Sequence, residues 1–324
     1  MTDVTAIGEL LIDFAATGVD ERGYPQMQAN AGGAPCNFLA ALGKYGRRTA
    51  FIGKVGSDAF GALLRGTLEK AGIDTRALIT DARYFTTLAF VTFDEGGDRS
   101  FSFARKPGAD TQLSFDEIDL SLIDETAVLH FGTLSLTDEP ARTATKRTVE
   151  YAIERGKLIS FDPNLRKPLW KSEDEAREQM LWGLQHADVV KISDDEIDFL
   201  FGCPPAEGAR RLTDEFGVSL VYATLGSRGS LIKNARCEVS VPAPSVTPVD
   251  TTGAGDIFGG SAMKKLLDMG CSPAALDAEA LREIGLFASC AASLSTQKQG
   301  GIPSIPELAA VEECAASLRE NTFL

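Results

Sequence analysis

Short apolar runs alternate along this chain with longer stretches of helical period, and that alternation limits the fold more than any other feature. VTAIG (4–8), TAFIGKVG (49–56), AVLHFG (127–132), KLISFD (157–162), DVVKIS (188–193), SLVYATLG (219–226) and GSLIKN (229–234) place apolar residues at consecutive positions. Strands covered on both faces read this way. Between the first runs, APCNFLAALGKYG sets Phe38, Ala41 and Leu42 on one stripe, and SDAFGALLRGTLEKAGI opens at a Ser-Asp cap and closes at Gly72. Repetition of strand and helix predicts a mostly parallel sheet with helices on both faces. A chain of 324 residues, 44% of them hydrophobic, can bury such a core as one large α/β domain.

One region breaks the pattern. TTLAFVTFDEGGDRSFSFARKPGAD (86–110) alternates with period two on both sides of DEGGDR, which reads as a β-hairpin. The stretch 14–30 has no helical period and can add extended chain to the same appendage. The expected architecture is therefore one domain over 1–324 with a small β-sheet lid built from segments near 14–30 and 84–110. No linker, repeat or low-complexity tract interrupts it.

Charge and cysteines narrow the function. The formal charge of −14 disfavours nucleic acid or an anionic membrane as partner, since both reward a basic surface. Cys36, Cys203, Cys237, Cys271, Cys290 and Cys314 are scattered without a C-x-x-C pair, so they read as reduced thiols. The opening MTDVTAIGELLIDF holds Asp3, Glu9 and Asp13 in its apolar stretch and has no basic lead, unlike a signal peptide. No run approaches the roughly 20 apolar residues of a membrane span. A cytoplasmic location is expected. His130 and His186 have no metal-ligand companion at helical spacing and are expected to be structural.

The densest chemical signal is VDTTGAGDIFGG (249–260), with four glycines and two aspartates ahead of a helical segment that ends at Gly270. A helix N-terminus offers unpaired N–H groups and positive dipole to an anion. Gly253, Ala254 and Gly255 leave that main chain open, and Asp256 stands beside it. Alone, the segment reads first as a tight turn with Asp256 as its cap. No phosphate loop of the form G-x-x-x-x-G-K-[ST] occurs, nor G-x-G-x-x-G, which sets aside a nicotinamide-linked dehydrogenase. A second cluster, NAGGAPCNFLAALGKYG, places Gly32 and Gly33 before a helix bearing Asn37, an amide able to donate to and accept from hydroxyl groups.

The two clusters, in this order and spacing, resemble the motif regions of the ribokinase-like (PfkB-type) carbohydrate kinases. GELLIDF, AFIGKVGSDAFG, LAFVTFD, FDPNLRKPLW, KISDDEIDFL, TLGSRGS and VDTTGAGD extend the likeness over roughly residues 4–310, with the fructokinase branch most similar. The resemblance implies a ribokinase-like three-layer fold and transfer of the γ-phosphoryl group of ATP to a sugar hydroxyl. Asp256 would accept the hydroxyl proton, and the amides of Gly253, Ala254 and Gly255 would form an anion hole. Asp13, Gly32, Gly33 and Asn37 would hold sugar hydroxyls, with Phe103, Arg105 and Arg166 reaching the substrate from the lid and the sheet edge. Thr224, Gly226, Ser227 and Gly229 would contact the nucleotide, Lys191 its phosphates, and Ala288, Ser289 and Ala292 the adenine. Glu196 would join a magnesium–water network, although Ser193 stands where many relatives carry Asn. Mg²⁺ would arrive with ATP, and a monovalent cation such as K⁺ would take oxygens from Asp250, Thr252, Ser295, Lys298, Gly300 and Ser304.

Within this fold the rivals are a 2-keto-3-deoxygluconate kinase, which would use Arg105 and Arg166 to pair a carboxylate, and a ribokinase. Phe103, lacking a hydroxyl where acid-sugar kinases often carry tyrosine, favours a neutral hexose. A non-catalytic sugar or nucleotide sensor is a further alternative, against which Asp256 argues, because a binder needs no base there. A homodimer through the β lid is also expected.

Overall fold

Apolar runs with both neighbours apolar can be buried only between two layers, and the chain satisfies them that way. The computed structural model describes residues 2–93 and 99–323. Its first part comprises β1 (Thr2–Ile7), β2 (Leu11–Val19), β3 (Pro25–Gly32), α1 (Ala34–Lys44), β4 (Thr49–Gly56), α2 (Ala59–Lys70), β5 (Leu78–Asp81), β6 (Leu88–Phe93) and β7 (Arg99–Ala104). Then follow α3 (Ser121–Glu125), β8 (Thr126–Gly132), α4 (Ala141–Glu154), β9 (Leu158–Asp162), α5 (Glu173–His186), β10 (Val189–Ser193), α6 (Asp194–Phe201) and α7 (Pro205–Asp214). The chain closes with β11 (Leu220–Thr224), β12 (Ser230–Lys233), β13 (Glu238–Val241), α8 (Ala254–Met269), α9 (Ala278–Ser295) and α10 (Leu308–Phe323).

A nine-stranded sheet in the order β13-β12-β11-β10-β9-β8-β1-β4-β5 forms the middle layer, parallel except for β12 and β13. Successive side chains alternate between its faces. On β4, Phe51 and Val55 pack with Leu39, Leu68 and Leu266 of one helical layer, while Ala50 and Ile52 pack with Leu122, Val149 and Leu184 of the other. The ribokinase-like three-layer expectation holds. Asp58 caps α2, accepting from the N–H groups of Phe60 and Gly61, as the Ser-Asp pair predicts. The apolar run 219–226 stops early, at Thr224, because Gly226 adopts a positive φ of 57° and turns the chain. The four-residue strands β5 and β13 lie at the two edges, too short to give a sequence signal.

The smaller sheet, β3-β2-β6-β7, joins the two appendage segments. It starts at Leu11, three positions before the expected boundary at residue 14, and β2 pairs with β6 in parallel. Of the expected DEGGDR turn, 94–98 lie outside the described residues. In the large sheet, β1 lies between β4 and β8, so the chain order reverses there. Ligands of open α/β sheets gather beyond the carboxyl ends of the strands at such a point. Among the described residues no helix is long and apolar enough to cross a membrane.

Candidate active site

Strand periodicity assembles a polar stripe on the sheet face beneath α8. Val128, Val189 and Leu220 belong to the core on that side, so His130, Lys191 and Tyr222, two positions on, share it. Ile159 and Phe161 face the opposite core, which leaves Ser160 and Asp162 on the α8 side as well. At the carboxyl ends, Lys191 Nζ lies 3.3 and 3.1 Å from the two Asp162 oxygens. Burial alone would lower the Lys191 pKa, but the carboxylates of Asp162, Glu196 and Asp256 raise it, so the ammonium persists. His130 stacks on Phe38 with Nδ1 2.9 Å from Ser160 Oγ, and burial followed by the Lys191 charge lowers it to about 3. It is neutral and structural, as expected. His186 Nδ1 lies 2.7 Å from the Trp182 carbonyl, on the outside of the other layer.

α8 begins at the glycine run. Its N-cap, Gly253, has φ 76° and ψ −2°, and no side chain caps the helix. A Cβ at Gly253 would lie 2.9 Å from the Gly301 Cα, and one at Gly255 would lie 2.9 Å from Lys191 Nζ. Glycine is thus demanded twice, by a left-handed backbone and by close approach. The Ala254 N–H leans back toward the Thr251 carbonyl at 3.3 Å. Asp256, in the first turn, accepts from Asn37 Nδ2 at 2.8 Å. Burial raises its pKa, opposed by Lys191, the Asn37 hydrogen bond and Arg166. Gly253→Ala is expected to cost about 1–2 kcal/mol from the left-handed backbone and to slow turnover by up to ~100-fold by shifting the turn from Asn37. Chemical unfolding and steady-state rates measure the two parts.

Two cavities meet at this helix end. One, of about 260 Å³, is lined by Asp13, Gly33, Asn37, Phe103, Arg166, Gly253, Gly255 and Asp256, all anticipated from the sequence. Leu11, Val91 and Leu134 supply apolar wall, so the small sheet and the loop after β8 cover it. Burial raises the Asp13 carboxyl to about 6, against the pull of Arg166 and with the push of Asp256 and Asp250. Gly32 is not among the lining residues, and a Cβ there would strike Asp13 Oδ2 at 2.0 Å, so it makes room for the aspartate.

Arg105 corrects the sequence reading. It is 4% exposed, and Nε donates to Asp110 Oδ2 at 2.8 Å, Nη1 to Thr137 Oγ1 at 2.7 Å and Nη2 to the Leu134 carbonyl at 2.8 Å. A buried guanidinium needs all those partners. It therefore braces the loop behind the cavity instead of reaching into it.

The second cavity, about 740 Å³, is lined by Lys191, Thr224, Gly226, Ser227, Gly229, Ala254, Ser289 and Ala292. Ala288 is 0% exposed and packs in the core of α9, so it is not a wall of this cavity. Glu196 is displaced as well, because Oε1 accepts from the Leu165 N–H and Oε2 from the Ser193 N–H, each at 2.8 Å. It closes the first turn of α6 as a capping box with Ser193. The Pro-rich segment carrying Ala243, Pro244, Val246 and Pro248 forms a further wall that motif reading passed over. Lys191, Ser193, Thr251 and Gly255 border both cavities. Other residues missed in the sequence are Asp162, Asn164 and Glu9. Glu9 did carry a signal, being an acid within the apolar run GELLIDF.

The six residues anticipated for a monovalent cation lie on loops tied to one another by hydrogen bonds. Asp250 Oδ1 accepts from the Thr252 N–H and Oγ1 at 2.9 and 2.7 Å, and Oδ2 accepts from the Gly300 N–H at 2.9 Å. The Asp250 N–H reaches the Thr296 carbonyl at 3.0 Å, beside Ser295, whose own carbonyl accepts from the Lys298 N–H at 3.1 Å. Ser304 Oγ donates to the Gly301 carbonyl at 2.8 Å. Loops rich in carbonyl oxygens, tied by one carboxylate, fit a large weakly hydrated cation. Among the described residues no group of three or more His, Cys, Asp or Glu is arranged to hold a metal ion. With Glu196 occupied by backbone N–H groups and Asp162 by Lys191, magnesium would be held through phosphates and water.

The family model for pfkB family carbohydrate kinases matches residues 1–308. Fructokinase-1 of Zea mays is 40% identical over 313 residues, covering 95% of this chain and 96% of that protein. Probable fructokinase-3 of Arabidopsis thaliana is 39% identical over 313 residues, covering 94% and 88%. The crystal structure of fructokinase with bound ATP from Xylella fastidiosa superposes with a TM-score of 0.89 at 28% identity, covering 99% of both chains. That of fructokinase from Vibrio cholerae O395, in its fructose-, ADP- and calcium-bound form, has a TM-score of 0.85 at 31% identity, covering 97% and 99%.

Proposed function

This chain belongs to the pfkB family of carbohydrate kinases, and on that premise we propose that it transfers the γ-phosphoryl group of ATP to a hydroxyl of fructose. One observation carries the reading: a large and a small cavity share Lys191 and Gly255 at the open end of α8, with Asp256 on the small-cavity side. Nucleotide enters the large cavity and sugar the small one. Asp256 takes the proton as the sugar oxygen bonds to the γ-phosphorus, the bridge to the β-phosphate breaks and ADP leaves. Lys191 and the first-turn amides of α8 neutralise charge on the migrating group. Bound magnesium supplies further neutralisation of the phosphates.

The walls favour a neutral ketohexose over an acid sugar. Asp13 and Asn37 offer hydroxyl partners, whereas of the two arginines that would pair a carboxylate Arg105 is already held by Asp110, which leaves only Arg166 on the wall, beside the acids Asp13 and Asp256. The reading includes a cytoplasmic enzyme whose cysteines are free thiols, and pairing of two copies through the small sheet. A coupled assay over fructose, ribose, glucose and 2-keto-3-deoxygluconate tests it. Fructose is expected to give a kcat/KM at least ~100-fold above the acid sugar, whose carboxylate would have to sit beside Asp13 and Asp256 in place of a hydroxyl. A higher value on any other sugar rejects the assignment.

A further inference from the structure

We propose that Glu9 is a positioning residue for the acceptor sugar: its carboxyl crosses from the loop after β1 to hold the first turn of α1 and thereby sets Asn37 against Asp256. The inference rests on the small cavity being the sugar site.

The chain of contacts is continuous. Glu9 is 2% exposed and forms part of the small cavity's wall. Its Oε1 accepts from the Ala34 N–H, the first of α1, at 2.9 Å. The N-cap of that helix is Gly33, which has no side chain to offer, and no neighbouring side chain in the sequence replaces it. Glu9 therefore supplies from 25 residues away the cap that the helix lacks. Backbones are also tight here, because a Cβ on Gly33 would lie 2.5 Å from the Glu9 carbonyl oxygen. One turn on from Ala34, Asn37 donates to Asp256. A shift of the first turn moves that amide, and with it the proton acceptor.

A glutamine could accept from the same N–H but as a neutral group would hold it less strongly, so a carboxyl buried at this point adds its charge to the cap. The charged and titratable groups around it are Arg105 and Asp110 behind the wall, the Cys36 thiol, kept neutral by burial, on the inner face of α1, and Asp13 and Asp256 across the cavity. Burial raises Glu9 to about 7, partly offset by its own backbone N–H, Arg105 and the Ala34 N–H. Both forms are thus populated at neutral pH. The ionised form is the stronger acceptor and faces the positive end of α1. Protonation weakens the hold on the turn and removes an acceptor from the sugar's surroundings.

The test is the pH dependence of the sugar KM. In the wild-type enzyme that KM is expected to rise about tenfold from pH 8 to pH 6, as a single group near 7 requires. Asp13, near 6, adds a further factor of about two at pH 6 and little above pH 6.5. In Glu9→Gln the rise between pH 8 and pH 6.5 disappears, while the KM for ATP is unmoved. In Glu9→Ala, which lacks any cap, the sugar KM exceeds the wild-type value by more than about tenfold at pH 8 and the KM for ATP again stays. Glu9→Gln removes a buried charge and is expected to unfold no earlier than wild type at pH 8, so a folding defect does not explain its kinetics. A wild-type pH profile in Glu9→Gln, or an unchanged sugar KM in Glu9→Ala, overturns the proposal while leaving the kinase reading intact. Wild-type enzyme that shows no saturable sugar dependence at any pH overturns the kinase reading and this inference together.

Discussion

Asp256→Asn turns over at least ~10³-fold more slowly than wild type, within the range a general base contributes, while still binding ATP and fructose. The substitution keeps the shape of the side chain and can still accept from Asn37 Nδ2, now at 2.8 Å from the carboxylate. Lys191 keeps its other partner, Asp162, at 3.1 Å. What is lost is the lone pair able to carry the acceptor proton. The pH dependence separates this from a geometric defect. Because burial raises the Asp256 pKa, wild-type kcat falls on the acid side as the carboxylate takes a proton before the substrate can give one. The residual rate of the variant has no such limb. Steady-state rates and calorimetric titrations with each ligand make the comparison, and undiminished turnover removes Asp256 from the role of base.

Lys191→Met is the second large effect, with kcat expected to fall about 10²- to 10³-fold, the cost of removing one preorganised positive group from developing phosphoryl charge. The ammonium sits on the border of both cavities, 2.9 Å from where a Cβ of Gly255 would be. The variant also leaves Asp162 behind with a side chain only 6% exposed. An uncompensated buried carboxylate costs about 3–5 kcal/mol, reduced by whatever proton it takes up. The double change Lys191→Met with Asp162→Asn removes that penalty. Its melting temperature is expected to recover toward wild type while kcat stays low. Recovery of both would make the lysine a structural group only.

The features legible in the sequence are local ones. Consecutive apolar residues in TAFIGKVG become a strand because each neighbour is covered by a different layer. Gly253 precedes α8 because its φ of 76° is open to glycine, and the Asp256 that follows is at a helix start whatever else the chain does. The family resemblance added positions for Asp13, Gly33, Asn37 and Arg166, and all four line one cavity.

Arg105, Ala288 and Glu196 show where that reading stops. Each lies in a segment whose position was correctly anticipated, yet the side chain faces a partner the motif does not name: Asp110 for Arg105, the α9 core for Ala288, the Leu165 and Ser193 amides for Glu196. Glu9 and Asp162 were passed over for the converse reason. Their use appears only when Ala34 and Lys191 are brought beside them.

The sequence by itself determined the longer strands, the first helices and where the glycine turn beside Asp256 must lie, since backbone preference and apolar period act over a few residues, whereas short edge strands such as β5 and β13 gave no such signal. Tertiary structure alone decided which charged groups face a ligand and which face the protein. A buried charge must find a partner within hydrogen-bond reach, and Asn37 and Asp256, 219 residues apart in the chain, meet only when the layers close.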